Sequence, residues 1–154
     1  MAASSVTIRR ARRDDVEAIV AMLADDPLGA ARERIEDPLP VVYFRAFDLL
    51  DRDPNIQLVV AEEKGVVVGC LQLCILQGLS SQGASRALIE DVRVASHRRS
   101  RRIGEQLVRW AVSDARGKGC KLLELFTHQT RTDAQRFYER LGFHRSHVGM
   151  TMRF

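Results

Sequence analysis

Aromatic side chains make up only 6% of the 154 residues, too few for the base-stacking surface of a single-strand nucleic-acid binder. Charge of one sign is scarce as well. The 24 basic and 20 acidic side chains leave +4, an excess too small to imply nucleic acid but suited to an acidic small molecule. No apolar run approaches the roughly 20 residues of a membrane span, so no membrane partner is expected. The first residues, "MAASSVTIRRARRDD", lack the apolar stretch of a secretory signal; Asp14, Asp15 and the alternating "VTIRRA" argue against a transit peptide. The three cysteines, Cys70, Cys74 and Cys120, are an odd number with no CxxC. They read as reduced core thiols and point to a cytoplasmic protein. No Cys/His set has zinc spacing and no Ser/His/Asp signature occurs, so no metal is expected. Repeats, low-complexity tracts and linkers are missing too, which predicts one domain over 1–154. With 45% hydrophobic and 29% charged residues, that domain is globular rather than disordered.

What is present is a change of period along the chain. "SVTIRRA" alternates and predicts a first strand. Asp14 and Glu17 have capping-box spacing, and Val16, Ile19, Val20 and Leu23 form the stripe of a helix that "DDPLG" ends. A second helix is expected from Leu28 to about Glu36. A third is expected over Val41–Leu50, with Tyr43, Phe44, Phe47 and Leu50 at helical intervals. "IQLVVAEE", Lys64-Gly65 and "VVVGCLQLCIL" then read as a β-hairpin. After the loop "QGLSSQGAS", "RALIEDVRV" is a strand. Arg102–Arg116 is helical, with Ile103, Leu107, Trp110 and Ala111 on one face, and "GKG" stops it. "CKLLELFT" is a strand. Ala134, Phe137, Tyr138 and Leu141 mark a last helix stopped by Gly142, and "RSHVGMTMRF" reads as a final strand. The expected class is α/β: a mixed sheet with helices on its faces.

"SHRRSRRIGEQL" puts a run of arginines where a strand hands over to a helix. A helix start has unpaired N–H groups and the positive end of the dipole, so a phosphate sits well there. Gly104 lets backbone approach a ligand closely, and Arg99, Arg101 and Arg102 can add charge-assisted hydrogen bonds. Taken alone, the stretch reads better as a solvated basic loop.

"VRVASHRRSRRIGEQLVRWAVSDARGKGC" resembles the coenzyme-binding motif of the GNAT superfamily of acetyltransferases, a V-x-V strand followed by Q/R-x-x-G-x-G/A. Val92 and Val94 match the strand; Arg99, Ser100, Arg101, Arg102, Ile103 and Gly104 match the loop. Arg102 stands where the pattern has its first glycine. "DAQRFYERLGFHRSH" resembles the family's A-x-x-F-Y-x-x-x-G-F motif through Ala134, Phe137 and Tyr138, and "TIRRARRDDVEAIVAML" and "VVAEEKGVVVGCLQL" resemble its opening elements. Arg131 stands where an asparagine is usual and offers a guanidinium to a phosphate instead. "RTDAQRFYERLGFHRSH" is similar to the aminoalkylphosphonate branch and "IEDVRV" to the hexosamine-phosphate branch. The two disagree about substrate.

The resemblance implies the acyl-CoA N-acyltransferase fold, a central sheet splayed open between the strand ending at Val94 and the strand from Lys121 to Phe126. It also implies direct transfer of acetyl from acetyl-CoA to the primary amine of a small molecule, with an anionic acceptor among the options. Backbone at Val92, Arg93 and Val94 would pair with the pantetheine arm and supply an oxyanion donor. Glu90 is the candidate base. Two positions from Val92, it is expected on the same sheet face, and Asp91 on the other. Tyr138 is the candidate acid for the leaving thiolate. A surface carboxylate and a core tyrosine are the alternatives. His128, His144 and His147 with Arg131 and Arg145 line either an anion pocket or plain surface. A homodimer is expected, through the edge of "HVGMTMRF". The rival function is a non-catalytic acyl-CoA-binding or DNA-binding regulator.

Overall fold

The structure, a computed structural model, describes residues 6–154. Ser5 of the expected first strand, with the rest of 1–5, lies outside the described residues. The elements run β1 (Val6–Arg10), α1 (Val16–Ala24), α2 (Pro27–Ala30), α3 (Val41–Arg52), β2 (Ile56–Glu63), β3 (Val66–Leu76), α4 (Ser80–Gly83), β4 (Arg86–Val94), α5 (Ile103–Gly117), β5 (Leu122–Leu125) and α6 (Thr132–Arg140). The strands form one sheet in chain order, β1-β2-β3-β4-β5. The first three pairings are antiparallel. The fourth, β4 with β5, is parallel and lasts four rungs, from Arg86↔Leu122 to Ile89↔Leu125. Past Ile89 the two strands have no partner in each other, so the sheet is mixed and splayed there, as expected. Lys64 (φ 51°) and Gly65 (φ 79°) turn the β2–β3 hairpin in the left-handed region that a two-residue loop needs.

Each face of the sheet carries its own core. Val59, Ala61, Val68, Leu71, Leu73, Ala87 and Ile89 pack beneath α5 through Ile103, Leu107, Val108 and Ala111, with Phe137 and Tyr138 of α6 against the rim. On the other face Val60 and Cys70 meet Val16, Ile19 and Val20 of α1 and Phe47 of α3. Burying a leucine or isoleucine contributes roughly 2–3 kcal/mol, so Leu71, Leu73, Ile89, Ile103 and Leu107, all nearly inaccessible, anchor α5 to β3 and β4.

Three expectations are corrected. The acid that closes the first turn before α1 is Asp15, not Asp14: its Oδ2 accepts the Arg12 amide at 2.7 Å and the Arg9 guanidinium at 2.7 Å. The second helix is a single turn: Asp26 caps it at Gly29 N (2.7 Å), and past Ala31 the apolar Ile35 lies exposed with no surface to pack on. The expected last strand is not formed: residues 144–154 carry no regular structure and are exposed, with Val148, Met150, Met152 and Phe154 all outside. An alternating segment becomes a strand only when a neighbour accepts its hydrogen bonds. Among the described residues none does.

Candidate active site

The site is built around an irregularity in β4. Its register against β3 runs Gly69↔Val94 and Cys70↔Arg93, then jumps to Gln72↔Glu90. Leu71 therefore faces two residues, Asp91 and Val92. This is a β-bulge, with Asp91 at φ 51°. The extra residue breaks the alternation. Ile89, Val92 and Val94 pack toward α5, while Arg93 lies opposite Cys70 on the α1 face. Glu90 neighbours Ile89 without a bulge between them, so it shares the α1 face with Arg93 and not the face of Val92. That reverses the parity expected from spacing. Glu90 Oε2 accepts Gln72 Nε2 at 3.2 Å, with Cys74 Sγ 3.9 Å away. Burial raises the Cys74 thiol, and raises Cys70 to about 12, so both stay protonated.

At the end of β4 the chain makes a short 3-10 turn, Ser96–Arg98, and enters α5. Ser100 (φ 67°) and Arg102 (φ 59°) are left-handed. Arg102, the residue in place of the motif glycine, thus takes the backbone shape that glycine would take. Gln106 N on Arg102 O (3.0 Å) is the first bond of α5, which leaves the amides of Ile103, Gly104 and Glu105 at its open end. A Cβ on Gly104 would come 3.6 Å from Val94 Cγ2 and 3.5 Å from Phe137 Cζ. Gly104 therefore lines the slot between β4 and α6, and only a larger side chain would fill it.

Three arginines of this stretch, Arg98, Arg99 and Arg101, are already paired. Arg98 Nε lies 2.9 Å from Glu63 Oε2, at an angle that makes an ion pair rather than a hydrogen bond. Arg101 Nη1 is 4.0 Å from the same buried carboxylate. Arg99 Nη2 reaches Asp25 O at 3.2 Å and Oδ2 at 3.3 Å. Spacing did not reveal Glu63, Asp25 or Asp26, since each sits at an element end and acts across the fold. The one local signal was Asp26-Pro27, the pattern of a cap followed by proline at the first helical position.

α6 closes the slot. Ala134, Phe137 and Tyr138 are half-buried on one side of it. Tyr138 packs edge-on against Phe137 (centroids 5.0 Å) and Phe143 (5.8 Å). Burial raises the pKa of its phenol, and the guanidiniums of Arg93 and Arg131 oppose that. Arg131, the residue before α6, pairs with Asp26 of the α1–α2 loop rather than with the 99–104 loop. Arg93 Nε is 3.9 Å from the same Asp26 oxygen. His128, His144 and His147 are exposed, and Arg145 pairs with Glu139 at 2.7 Å, so these are surface residues. Among the described residues no three His, Cys, Asp or Glu side chains are placed to hold a metal, and no helix is long and apolar enough to cross a membrane.

Residues 9–143 match the acetyltransferase (GNAT) family model. The chain is 33% identical over 147 residues to the aminoalkylphosphonate N-acetyltransferase of Salmonella typhimurium LT2, covering 94% of this chain and 88% of that protein. A crystal structure from Bacillus halodurans C-125, described as a transcriptional regulator, superposes with a TM-score of 0.95 at 50% identity, over 97% of this chain and all of that one. The glucosamine-6-phosphate N-acetyltransferase of Arabidopsis thaliana has a TM-score of 0.79 at 20% identity, over 97% and 99%, and shares the fold.

Proposed function

The chain belongs to the acetyltransferase (GNAT) family, whose members use acetyl-CoA; on that footing we propose that it moves the acetyl group directly onto the primary amine of a small molecule, in a ternary complex. The observation that carries this reading is one place in the fold. The bulged end of β4, the glycine at the start of α5 and the Tyr138 face of α6 meet at the splay of the sheet. Bound there, acetyl-CoA supplies an activated thioester carbonyl. The open amides of α5, with Arg99, Ser100, Arg101, Arg102, Ile103 and Gly104, hold the pyrophosphate. The backbone of Val92, Arg93 and Val94 pairs with the pantetheine arm and presents an N–H to the developing oxyanion. Ala134 and Phe137 pack on the arm. Glu90 takes a proton from the attacking ammonium, directly or through water, and Tyr138 returns one to the leaving thiolate. The Salmonella relative's name puts its own acceptors among aminoalkylphosphonates, which supports a small primary amine here. We place the enzyme in the cytoplasm as one domain over 1–154, acting as a homodimer.

The test is thiol release from acetyl-CoA against a panel of primary amines. Amine-dependent release supports transfer. The Bacillus structure's description favours a second reading, a regulator that keeps the fold without turnover. No release with any amine, together with salt-sensitive binding to DNA, would establish that reading instead.

A further inference from the structure

Resting on the acetyltransferase reading, we propose that Arg93 and Arg131 are the binding site for an acidic group on the acceptor, and that Asp26 is the counter-ion this group displaces. Two guanidiniums here share one carboxylate oxygen. Asp26 Oδ2 pairs with Arg131 and lies 3.9 Å from Arg93 Nε, while Asp26 Oδ1 is held by Gly29 N at 2.7 Å as the cap of α2. One oxygen cannot satisfy two guanidinium forks. Arg93 shows the deficit. Its side chain is 16% exposed, its Nη1 donates to its own Val92 carbonyl at 2.9 Å, and its Nε is buried with no hydrogen-bond partner. A buried guanidinium with unused donors attracts any anion that can reach it. A phosphonate, phosphate or carboxylate would accept from both forks at once.

Position assigns this anion to the acceptor rather than to the coenzyme. Arg93 shares the α1 face of β4 with Glu90, the candidate base, across the bulge. At about 3.3 Å per residue the two are at most roughly 10 Å apart along the strand. With both side chains reaching in, a short aminoalkyl acid spans the gap, its amine at Glu90 and its acid at Arg93. The coenzyme's phosphates belong to the 99–104 loop on the proposed reading, where Arg99 and Arg101 are held by Asp25 and Glu63. Asp26 makes the site selective. A neutral acceptor has nothing to exchange for the Asp26 carboxylate. An anionic acceptor does, and Asp26 keeps its α2 cap through Oδ1 when Oδ2 is released.

The experiment compares three acceptors of equal chain length, an aminoalkyl phosphonate, an aminoalkyl carboxylate and an aminoalkyl alcohol, by kcat/KM with acetyl-CoA saturating. The parent enzyme should prefer an acid over the alcohol at least 100-fold. Arg93→Met and Arg131→Lys should each reduce that ratio at least tenfold, through KM for the acid. Asp26→Asn should lower KM for the acid. Arg131→Lys is half-exposed and keeps its charge, so it guards against a misfolded Arg93 variant. No preference in the parent, or a preference untouched by both arginine variants, overturns the proposal. So does a rise in KM for acetyl-CoA with the acid preference intact, which would give the pair to a coenzyme phosphate. A separate arm covers an enzyme that turns over none of the three. Calorimetry with an alkylphosphonate lacking the amine should show binding that Arg131→Lys weakens at least fivefold. Absence of that binding sinks the anion site, while its presence without turnover sinks only the transfer reading.

Discussion

Arg102 stores strain that its position explains. A left-handed residue other than glycine costs about 1–2 kcal/mol, and Arg102 sits at φ 59° at the mouth of α5. Glycine there would relieve the strain but add freedom to the unfolded chain. Arg102→Gly should therefore raise stability by roughly 0.5–1 kcal/mol, measurable as a higher urea midpoint at constant m-value. Gly104 makes the opposite demand. A single Cβ meets Phe137 and Val94 at ordinary contact distance, so Gly104→Ala should bind acetyl-CoA within a few-fold of the parent. The γ carbons of Gly104→Val enter the slot and should abolish binding by calorimetry while the fold survives. Unchanged affinity in the valine variant would move the coenzyme to another surface. Tyr138→Phe keeps the edge-on ring packing and removes only the hydroxyl, so kcat should fall on the order of 100-fold with acetyl-CoA affinity kept. Glu90→Gln should slow turnover most at neutral pH and recover partly in alkali, where the amine deprotonates unaided. If neither change alters kcat, both assigned roles are wrong.

At the scale of elements, short carboxylates fix where helices begin. Burial alone would raise the pKa of Asp15, but the Arg9 guanidinium and the Arg12 amide bring it below the ordinary carboxylate value. A depressed folded pKa stabilises the protein fully above the unfolded value of about 4, and that stability is lost as pH falls through the folded value. Asp15→Asn should accordingly cost about 1–2 kcal/mol at pH 7. The difference from the parent should shrink to nothing on acid titration, followed by urea unfolding at several pH values. A constant difference down to low pH would mean the Asp15 charge contributes nothing. β4 shows the same dependence of function on local detail. One inserted residue at Asp91 turns Glu90 and Arg93 to the α1 face and leaves Val92 and Val94 facing α5.

Across the whole molecule, the α1–α2 loop is tied by Asp25 to Arg99 and by Asp26 to Arg93 and Arg131, so it bridges the 99–104 loop, β4 and the start of α6. The residues after α6 are tied much less. Val148, Met150, Met152 and Phe154 alternate and are exposed, and among the described residues no strand pairs with the outer edge of β5. An open edge and an apolar alternating segment on each of two copies can satisfy one another. Light scattering should show twice the chain mass, and the paired change Met150→Glu with Met152→Glu should lower it to one chain at micromolar concentration. A monomer at every concentration in the parent rejects this pairing.

The long periodic elements were legible because their hydrophobic spacing is local. The hairpin at Lys64-Gly65, the stripe of α5 and the Ala134–Leu141 stripe of α6 each carry their own signal over a few turns or pairs. The 99–104 loop and Tyr138 could be put forward as candidates for the same reason, since their motifs lie in continuous sequence. The direction of Glu90 could not be read, because a bulge is set by the register of β3 against β4 and leaves no mark in the alternation. The partners of the arginines could not be read either. Ion pairs such as Arg131–Asp26 join residues 105 positions apart, and only the packing of α1 and α6 on the two sides of β4 brings them together. The last segment shows the limit most plainly: its alternation is that of a strand, but whether it forms one depends on a neighbour to accept its hydrogen bonds, which is a property of the assembled sheet and not of the segment.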